Sequence, residues 1–126
     1  MTDTEKITIN MSVVDLGRVD LLVDEGFYSS RSDLIRTAIR HQLAEHADQV
    51  RNIVVDRSIG MGVMVIGKQF LEDALARGGK VEVKTIGLLI IQNDVTPELA
   101  LKAIGLFKVY GAVRASPAVK TALGLK

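Results

Sequence analysis

The chain has 126 residues, 48% of them hydrophobic and 25% charged, which suits one ordinary globular domain or two small ones. It contains no cysteine, so disulfides, thiolate metal sites and cysteine nucleophiles are excluded, and no apolar run is long enough for a signal peptide or a membrane span. We therefore expect a cytoplasmic protein. The net charge of +1 is unevenly divided, with seven Lys or Arg against ten Asp or Glu in residues 1–58, and nine against five thereafter.

The first predicted element is a β-strand over Lys6–Met11, where polar and apolar residues alternate strictly. One face of this strand is apolar, made of two Ile and one Met. The other face is polar and consists of Lys6, Thr8 and Asn10.

Two helices are predicted next, over about residues 13–25 and 30–46, from apolar residues that recur at helical spacing. Ser12 stands at the capping position of the first helix, and Gly26 ends it. Either Ser29 or Ser30 can cap the second helix, and Ser30 has the box spacing to Asp33. One strand and two helices cannot close a core, because the strand leaves its hydrogen-bonding edge unpaired. Pairing with the strand of a second copy around a two-fold axis satisfies both edges, so the pattern predicts an intertwined dimer.

These elements resemble the ribbon-helix-helix (Arc/MetJ/CopG) family of DNA-binding regulators. The resemblance rests on the strand Lys-Ile-Thr-Ile-Asn-Met and on the later stretch Gly-Phe-Tyr-Ser-Ser-Arg-Ser-Asp-Leu-Ile-Arg, and it covers residues 6 to about 45. It implies a homodimer, or a higher homo-oligomer, whose two-stranded ribbon enters the major groove of double-stranded DNA at a palindromic or repeated operator. By this resemblance the base-reading residues are Lys6, Thr8 and Asn10. The residues that it implies for phosphate binding are Ser29, Ser30 and Arg31.

The chemistry of these residues suits the implied roles. Lys can donate to guanine O6 and N7, Asn can pair bidentately with adenine, and Thr can hydrogen-bond or touch a thymine methyl. Free backbone N–H groups at the amino end of a helix bind anions such as phosphate. Because this part of the chain is acidic, we expect DNA binding to be sensitive to salt.

The second part of the chain is predicted to be a separate domain. We place a ribbon-helix-helix domain at residues 1–47, a linker at 48–58 and a β-α domain at 59–126, which makes the fold class α+β. Glycine-led apolar segments recur at Gly62, Gly87 and Gly111, spaced 25 and 24 residues apart, and a short helical stretch follows each. This period predicts a repeat similar to a leucine-rich-repeat solenoid, with parallel strands buried on both faces. A layered α/β fold without a true solenoid is the alternative.

The repeats are expected to mediate oligomerisation or contact with a protein partner, because a short solenoid has open strand edges. No nucleophile with a base, paired-carboxylate site or zinc motif has credible spacing, so we expect no enzyme, no catalytic residues and no cofactor. His41 and His46 lie about 140° apart around a helix, which does not predict a shared metal.

The sequence thus predicts a sequence-specific transcriptional regulator, acting as a repressor. One alternative is the antitoxin of a toxin-antitoxin pair, in which the carboxy-terminal segment is usually disordered until it binds the toxin. Another is a self-assembling scaffold protein that uses the ribbon only to dimerise, an alternative that the acidic first part favours.

Overall fold

The computed structural model describes residues 4–125, and these form two compact units, Thr4–Ile53 and residues 54–125. The helices that begin in the N-terminal unit are α1 (Val13–Asp24), α2 (Arg31–Glu45) and α3 (Ala47–Asp56). The elements of the C-terminal unit are β1 (Gly60–Ile66), α4 (Lys68–Ala76), β2 (Val81–Ile91), α5 (Pro97–Ala103), β3 (Ile104–Arg114) and α6 (Pro117–Ala122). The chain is therefore α+β, as the sequence predicts.

The ends of α1 follow from local sequence. Ser12 caps the helix, since its Oγ accepts a hydrogen bond from the backbone N–H of Asp15 at 3.1 Å. At the other end Gly26 adopts a φ of +86°, a left-handed conformation that glycine reaches without strain. The N–H of Phe27 then donates to the carbonyl of Leu22 at 2.9 Å, which completes a Schellman motif.

The predicted strand at Lys6–Met11 is not a strand in the single chain. Residues 4–12 form neither helix nor strand, and within residues 4–125 no other strand pairs with them. The reason is that a strand is defined by a hydrogen-bonded neighbour, and the predicted neighbour is the same segment of another copy. Ile7 and Ile9 are accordingly 72% and 60% exposed.

The segment expected to be a linker, residues 48–58, is largely helical, because Ala47–Asp56 form α3. Val50, Ile53 and Val54 follow the i, i+3, i+4 spacing of an amphipathic helix, a pattern that the polar neighbours obscure in the sequence. The division between the two compact units falls between Ile53 and Val54.

The C-terminal unit is built on a three-stranded parallel sheet in the order β1-β2-β3. Its register places Gly62 opposite Gly87, and Gly87 opposite Gly111. All three glycines have positive φ, of +114°, +132° and +130°. A Cβ on Gly87 would overlap the carbonyl oxygen of Gly62, and a Cβ on Gly111 would overlap that of Gly87. The close approach of these strands therefore depends on glycine at positions 87 and 111.

Helices α4, α5 and α6 contribute to a core on one face of the sheet. Leu71, Ala100 and Val119 supply side chains from the three helices and are fully or almost fully buried. The core consists of Ile66, Leu71, Val83, Leu89, Ile91, Val95, Ala100, Ala103, Ile104 and Val119. Burial of each Val, Leu or Ile side chain in this core stabilises the unit by about 1.5–3 kcal/mol.

On the opposite face of the sheet, which the sequence predicts to be buried, the edge strand β1 is exposed, whereas Leu88 of the central strand β2 is 5% exposed. Met61, Val63 and Val65 of β1 point away from the core and are 67%, 54% and 53% exposed. A sheet layer with helices on one face corresponds to the layered α/β alternative, and a leucine-rich-repeat-like solenoid is not shown. Across residues 4–125, every helix is too short or too polar to span a membrane.

Candidate nucleic-acid interface

The three predicted base-reading side chains lie in the segment that precedes α1. Lys6, Thr8 and Asn10 are all exposed. Among the side-chain hydrogen bonds and ion pairs found within residues 4–125, none involves these three residues. Their donors and acceptors are therefore available to a ligand outside the chain.

The N-terminal unit leaves most of its large apolar side chains in solvent. Within Thr4–Ile53 Val19 is the one buried residue, and α2 buries none. The exposed large apolar residues of this unit are Ile7, Ile9, Met11, Val13, Val14, Leu21, Leu22, Phe27, Ile39, Leu43 and Ile53. Such a unit gains little stability from its own core, and burying these side chains against a second copy would supply it.

The amino end of α2 is capped by reciprocal hydrogen bonds. Ser30 Oγ accepts from the backbone N–H of Asp33 at 3.0 Å. The carboxylate of Asp33 in turn accepts from the N–H of Ser29 at 3.0 Å and from its hydroxyl at 3.2 Å. The backbone hydrogen bond from Ser29 is the main reason that the pKa of Asp33 is lowered. Both donors of Ser29 are therefore engaged within the chain.

Arg31 is engaged as well, by a partner on α1. Its Nε lies 2.7 Å from Oδ1 of Asp20 and its Nη2 lies 2.8 Å from Oδ2, a two-point ion pair. The hydrogen bond to Arg31 lowers the pKa of Asp20, and the hydrogen bond to Asp20 raises that of Arg31. A guanidinium carries five N–H donors, so three are left for another anion.

Sequence reasoning missed Asp20 as the partner of Arg31, because the pair depends on the angle between α1 and α2. It also passed over Arg36 and Arg40, two exposed cations one turn apart on α2. Within residues 4–125, Arg36 has no ion pair, and Arg40 donates a long hydrogen bond of 3.5 Å to Thr37. The available signal was the four-residue spacing of the two arginines, which places them on one face of a helix. The unit nevertheless stays acidic, with six Lys or Arg against eight Asp or Glu in Thr4–Ile53.

The histidines of α2 and its cap do not form a metal centre in the part of the chain that the structure describes. His46 Nε2 lies 3.3 Å from Nε2 of Gln42. Over residues 4–125, no three His, Asp or Glu side chains are grouped so that they could hold a metal ion.

A sequence profile described as the Ribbon-Helix-Helix transcriptional regulator family matches residues 2–120. The chain therefore belongs to this family, which implies DNA binding, usually with dimerisation, and a role in transcription rather than in catalysis. The match runs through both units, so the resemblance that the sequence suggests for residues 6 to about 45 is too short, and the C-terminal unit is part of the family pattern. Comparisons with curated proteins and with solved structures found no match.

Proposed function

We propose that this protein is a sequence-specific transcriptional repressor whose two copies pair their segments Lys6–Met11 into an antiparallel ribbon that reads the DNA major groove. The observation that carries the proposal is that this alternating segment is unpaired and exposed on both of its sides in the single chain. In this proposal residues 1–47 dimerise and bind DNA, and residues 59–126 serve assembly.

Ribbon formation gives both sides of the segment a role. The apolar side, with Ile7, Ile9 and Met11, packs onto the four helices of the dimer, which cover it with their own exposed apolar residues. The two strands satisfy each other's backbone N–H and C=O groups. The polar side is then the outer surface of the ribbon.

On that outer surface Lys6, Thr8 and Asn10 are proposed to contact base edges. Lys and Asn distinguish guanine and adenine by their major-groove acceptors and donors, and Thr adds a hydroxyl or a methyl contact. A two-fold dimer presents this set twice in opposite directions, which suits a palindromic or repeated operator.

The amino end of α2 is proposed to hold a DNA phosphate on each side of the ribbon. Ser29 and Ser30 order the first turn of the helix, so that its free backbone N–H groups point outward. Arg31 supplies charge through the N–H groups that Asp20 leaves unused. Contacts of this kind fix the register of the protein on DNA but do not select a sequence.

The test is selection of bound fragments from genomic DNA, followed by binding measurements on the recovered site. The variant Thr8→Ala/Asn10→Ala should lose sequence preference, at about 1–3 kcal/mol per bidentate interaction removed, and should remain a dimer. A matched control is Thr37→Ala/Asn52→Ala, which removes the same side-chain types from the helices. Full operator affinity of the first variant would show that the reading face is assigned wrongly.

A scaffold protein that dimerises through the ribbon without binding DNA is the second candidate, favoured by the acidic N-terminal unit and the exposed sheet face. Light scattering after size exclusion separates the two, because a scaffold would form large particles whose mass is indifferent to DNA. The antitoxin alternative is not favoured. It expects a carboxy-terminal segment that is disordered alone, whereas Ile66, Leu71 and Leu89 lie in a fully buried core.

A further inference from the structure

The outward face of the sheet, on the side opposite the helices, is an apolar surface with a defined centre. We define it by three rows of residues that the strand register aligns across β1, β2 and β3. The rows are Met61, Ile86 and Tyr110; Val63, Leu88 and Ala112; and Val65, Ile90 and Arg114. Eight of these nine residues are apolar or aromatic.

Both edges of this face are open, since Val63 of β1 and Tyr110 of β3 are 54% and 43% exposed, although Leu88 between them is 5% exposed. Open edges of this kind are unusual for a parallel sheet. Parallel sheets occur almost only with both faces covered, because their strands are apolar on both sides. Large contiguous apolar patches on a protein surface mark sites that bind another macromolecule. The outward face is therefore expected to bind another macromolecule.

The charges on this side of the sheet lie at its ends. Lys84 and Lys108 precede the first row, at the amino-terminal end of the strands, and Arg114 stands in the last row. Glu82 is 3.8 Å from Lys84, and Lys108 lies 5.7 Å from the ring centre of Tyr110. The middle row, Val63, Leu88 and Ala112, has no charge, so the centre of the face is apolar and lies between charged ends.

We propose that the outward face is covered by the same face of a second copy of this chain, with the strands of the two sheets running in opposite directions. A two-fold axis along the middle row places the exposed Val63 against its equivalent and sets Tyr110 opposite Arg114 of the second copy, a favourable cation–π arrangement. This axis also places the lysines of the two copies at opposite ends of the interface. An axis parallel to the strands would instead bring Lys84 against its own equivalent, and like charges in contact are unfavourable.

The area of the face is small, and it suits a second copy that is already joined to the first through the N-terminal units. Three strands about 4.8 Å apart and about seven residues long at 3.3 Å per residue present roughly 300 Å² of sheet per copy. The two faces together bury roughly 600 Å², which is less than the total area of about 1,200–2,000 Å² in a stable interface between separate proteins. Two chains joined through their N-terminal units hold their C-terminal units at a high effective concentration, at which such a face suffices. The inference thus rests on the dimer of the proposed function but not on DNA binding.

The first test uses the absence of natural cysteines. Val63→Cys places a single thiol at the centre of the face, and Leu101→Cys places one on α5, where the exposure of 56% matches the 54% of Val63 in the single chain. With a maleimide reagent, the thiol at 63 should react at least tenfold more slowly than the thiol at 101. Adding Val65→Lys should restore fast labelling at 63. If the thiols at 63 and 101 reacted at equal rates without Val65→Lys, the proposal would be overturned. The same result would show that no other part of the purified protein covers the face.

The second test asks whether the cover is another copy. Chains carrying Tyr110→Cys and chains carrying Arg114→Cys, with tags of different size, are mixed, allowed to exchange and treated with a short bifunctional maleimide. Joined pairs that contain one chain of each kind should dominate. If the thiol at 63 were protected but no cross-link formed between chains, the proposal would be overturned, because another part of the same chain would then cover the face. Light scattering on the same samples tests the dimer independently. A protein with the mass of a dimer whose thiol at 63 is unprotected would contradict this inference but not the proposed N-terminal dimer.

Discussion

Asp20 of α1 holds Arg31 of α2 by two hydrogen bonds, of 2.7 and 2.8 Å, across the turn that joins the helices. The pair fixes the direction of a guanidinium at the helix end proposed to meet DNA. It also places a carboxylate beside the expected phosphate. The ion pair therefore weakens the electrostatic attraction of this site for phosphate but holds the guanidinium in a defined orientation. About half of each side chain is exposed, which leaves the outer N–H groups of Arg31 accessible.

Arg31→Ala tests the phosphate role. We expect weaker binding to all DNA sequences alike and a slope of log K against log salt that is smaller by about 0.9 for each phosphate that the variant no longer neutralises. The measurement is fluorescence anisotropy over a range of salt concentrations. Arg51→Ala is the control, because Arg51 also pairs with a carboxylate, that of Asp48 at 3.1 Å, but lies on α3. Equal effects of the two variants would indicate that only net charge matters.

Acid should weaken the N-terminal unit through Asp20 and Asp33. Both carboxyls have a folded-state pKa below the ordinary 3.8, so each contributes stability that is complete well above pH 3.8 and is lost as the pH falls through the lowered value. Denaturant titrations between pH 2 and 7, followed by the helix signal, should show this loss below about pH 4. In Asp20→Asn/Asp33→Asn the loss should be smaller, since neither side chain can then titrate. If the double variant lost as much stability at low pH as the unsubstituted protein, the acid sensitivity would arise from other groups.

The glycine row of the sheet should tolerate no side chain. Gly87→Ala puts a Cβ against the carbonyl oxygen of Gly62 at a φ of +132°, and we expect it to destabilise the C-terminal unit by about 2 kcal/mol or more. Gly79→Ala is the matched control, because no atom lies within 4 Å of the added Cβ there. Thermal unfolding should separate the two variants by many degrees. Similar melting temperatures would mean that the strands can move apart at little cost.

Local features of the fold were predictable from sequence, and relationships between distant elements were not. Ser12, Ser30 and Gly26 act within one helical turn, so a few neighbouring residues determine where the helices begin and end. The glycine spacing likewise anticipates residues that meet across the parallel strands. The pairing of Asp20 with Arg31 and the exposure of the outward sheet face depend on how elements pack, and no local pattern contains that information. The candidate base-reading residues came from the family resemblance combined with strand alternation.

The last prediction concerns the apolar side of the segment Lys6–Met11. Ile9 is 60% exposed in the single chain, so the variant Ile9→Lys removes little packing within that chain. In the proposed dimer the same side chain is buried beneath the helices, where replacing an isoleucine costs about 1.5–3 kcal/mol in apolar burial and adds the penalty of a buried charge. Each dimer contains the substitution twice.

We therefore expect Ile9→Lys to shift the protein from dimer to monomer at micromolar concentration and to abolish operator binding. Light scattering measures the mass, and circular dichroism reports whether the helices persist. Leu101→Lys is the control, since it introduces the same charge at a similarly exposed apolar position on α5. A dimeric Ile9→Lys protein with intact DNA affinity would mean that the segment does not pair as a ribbon.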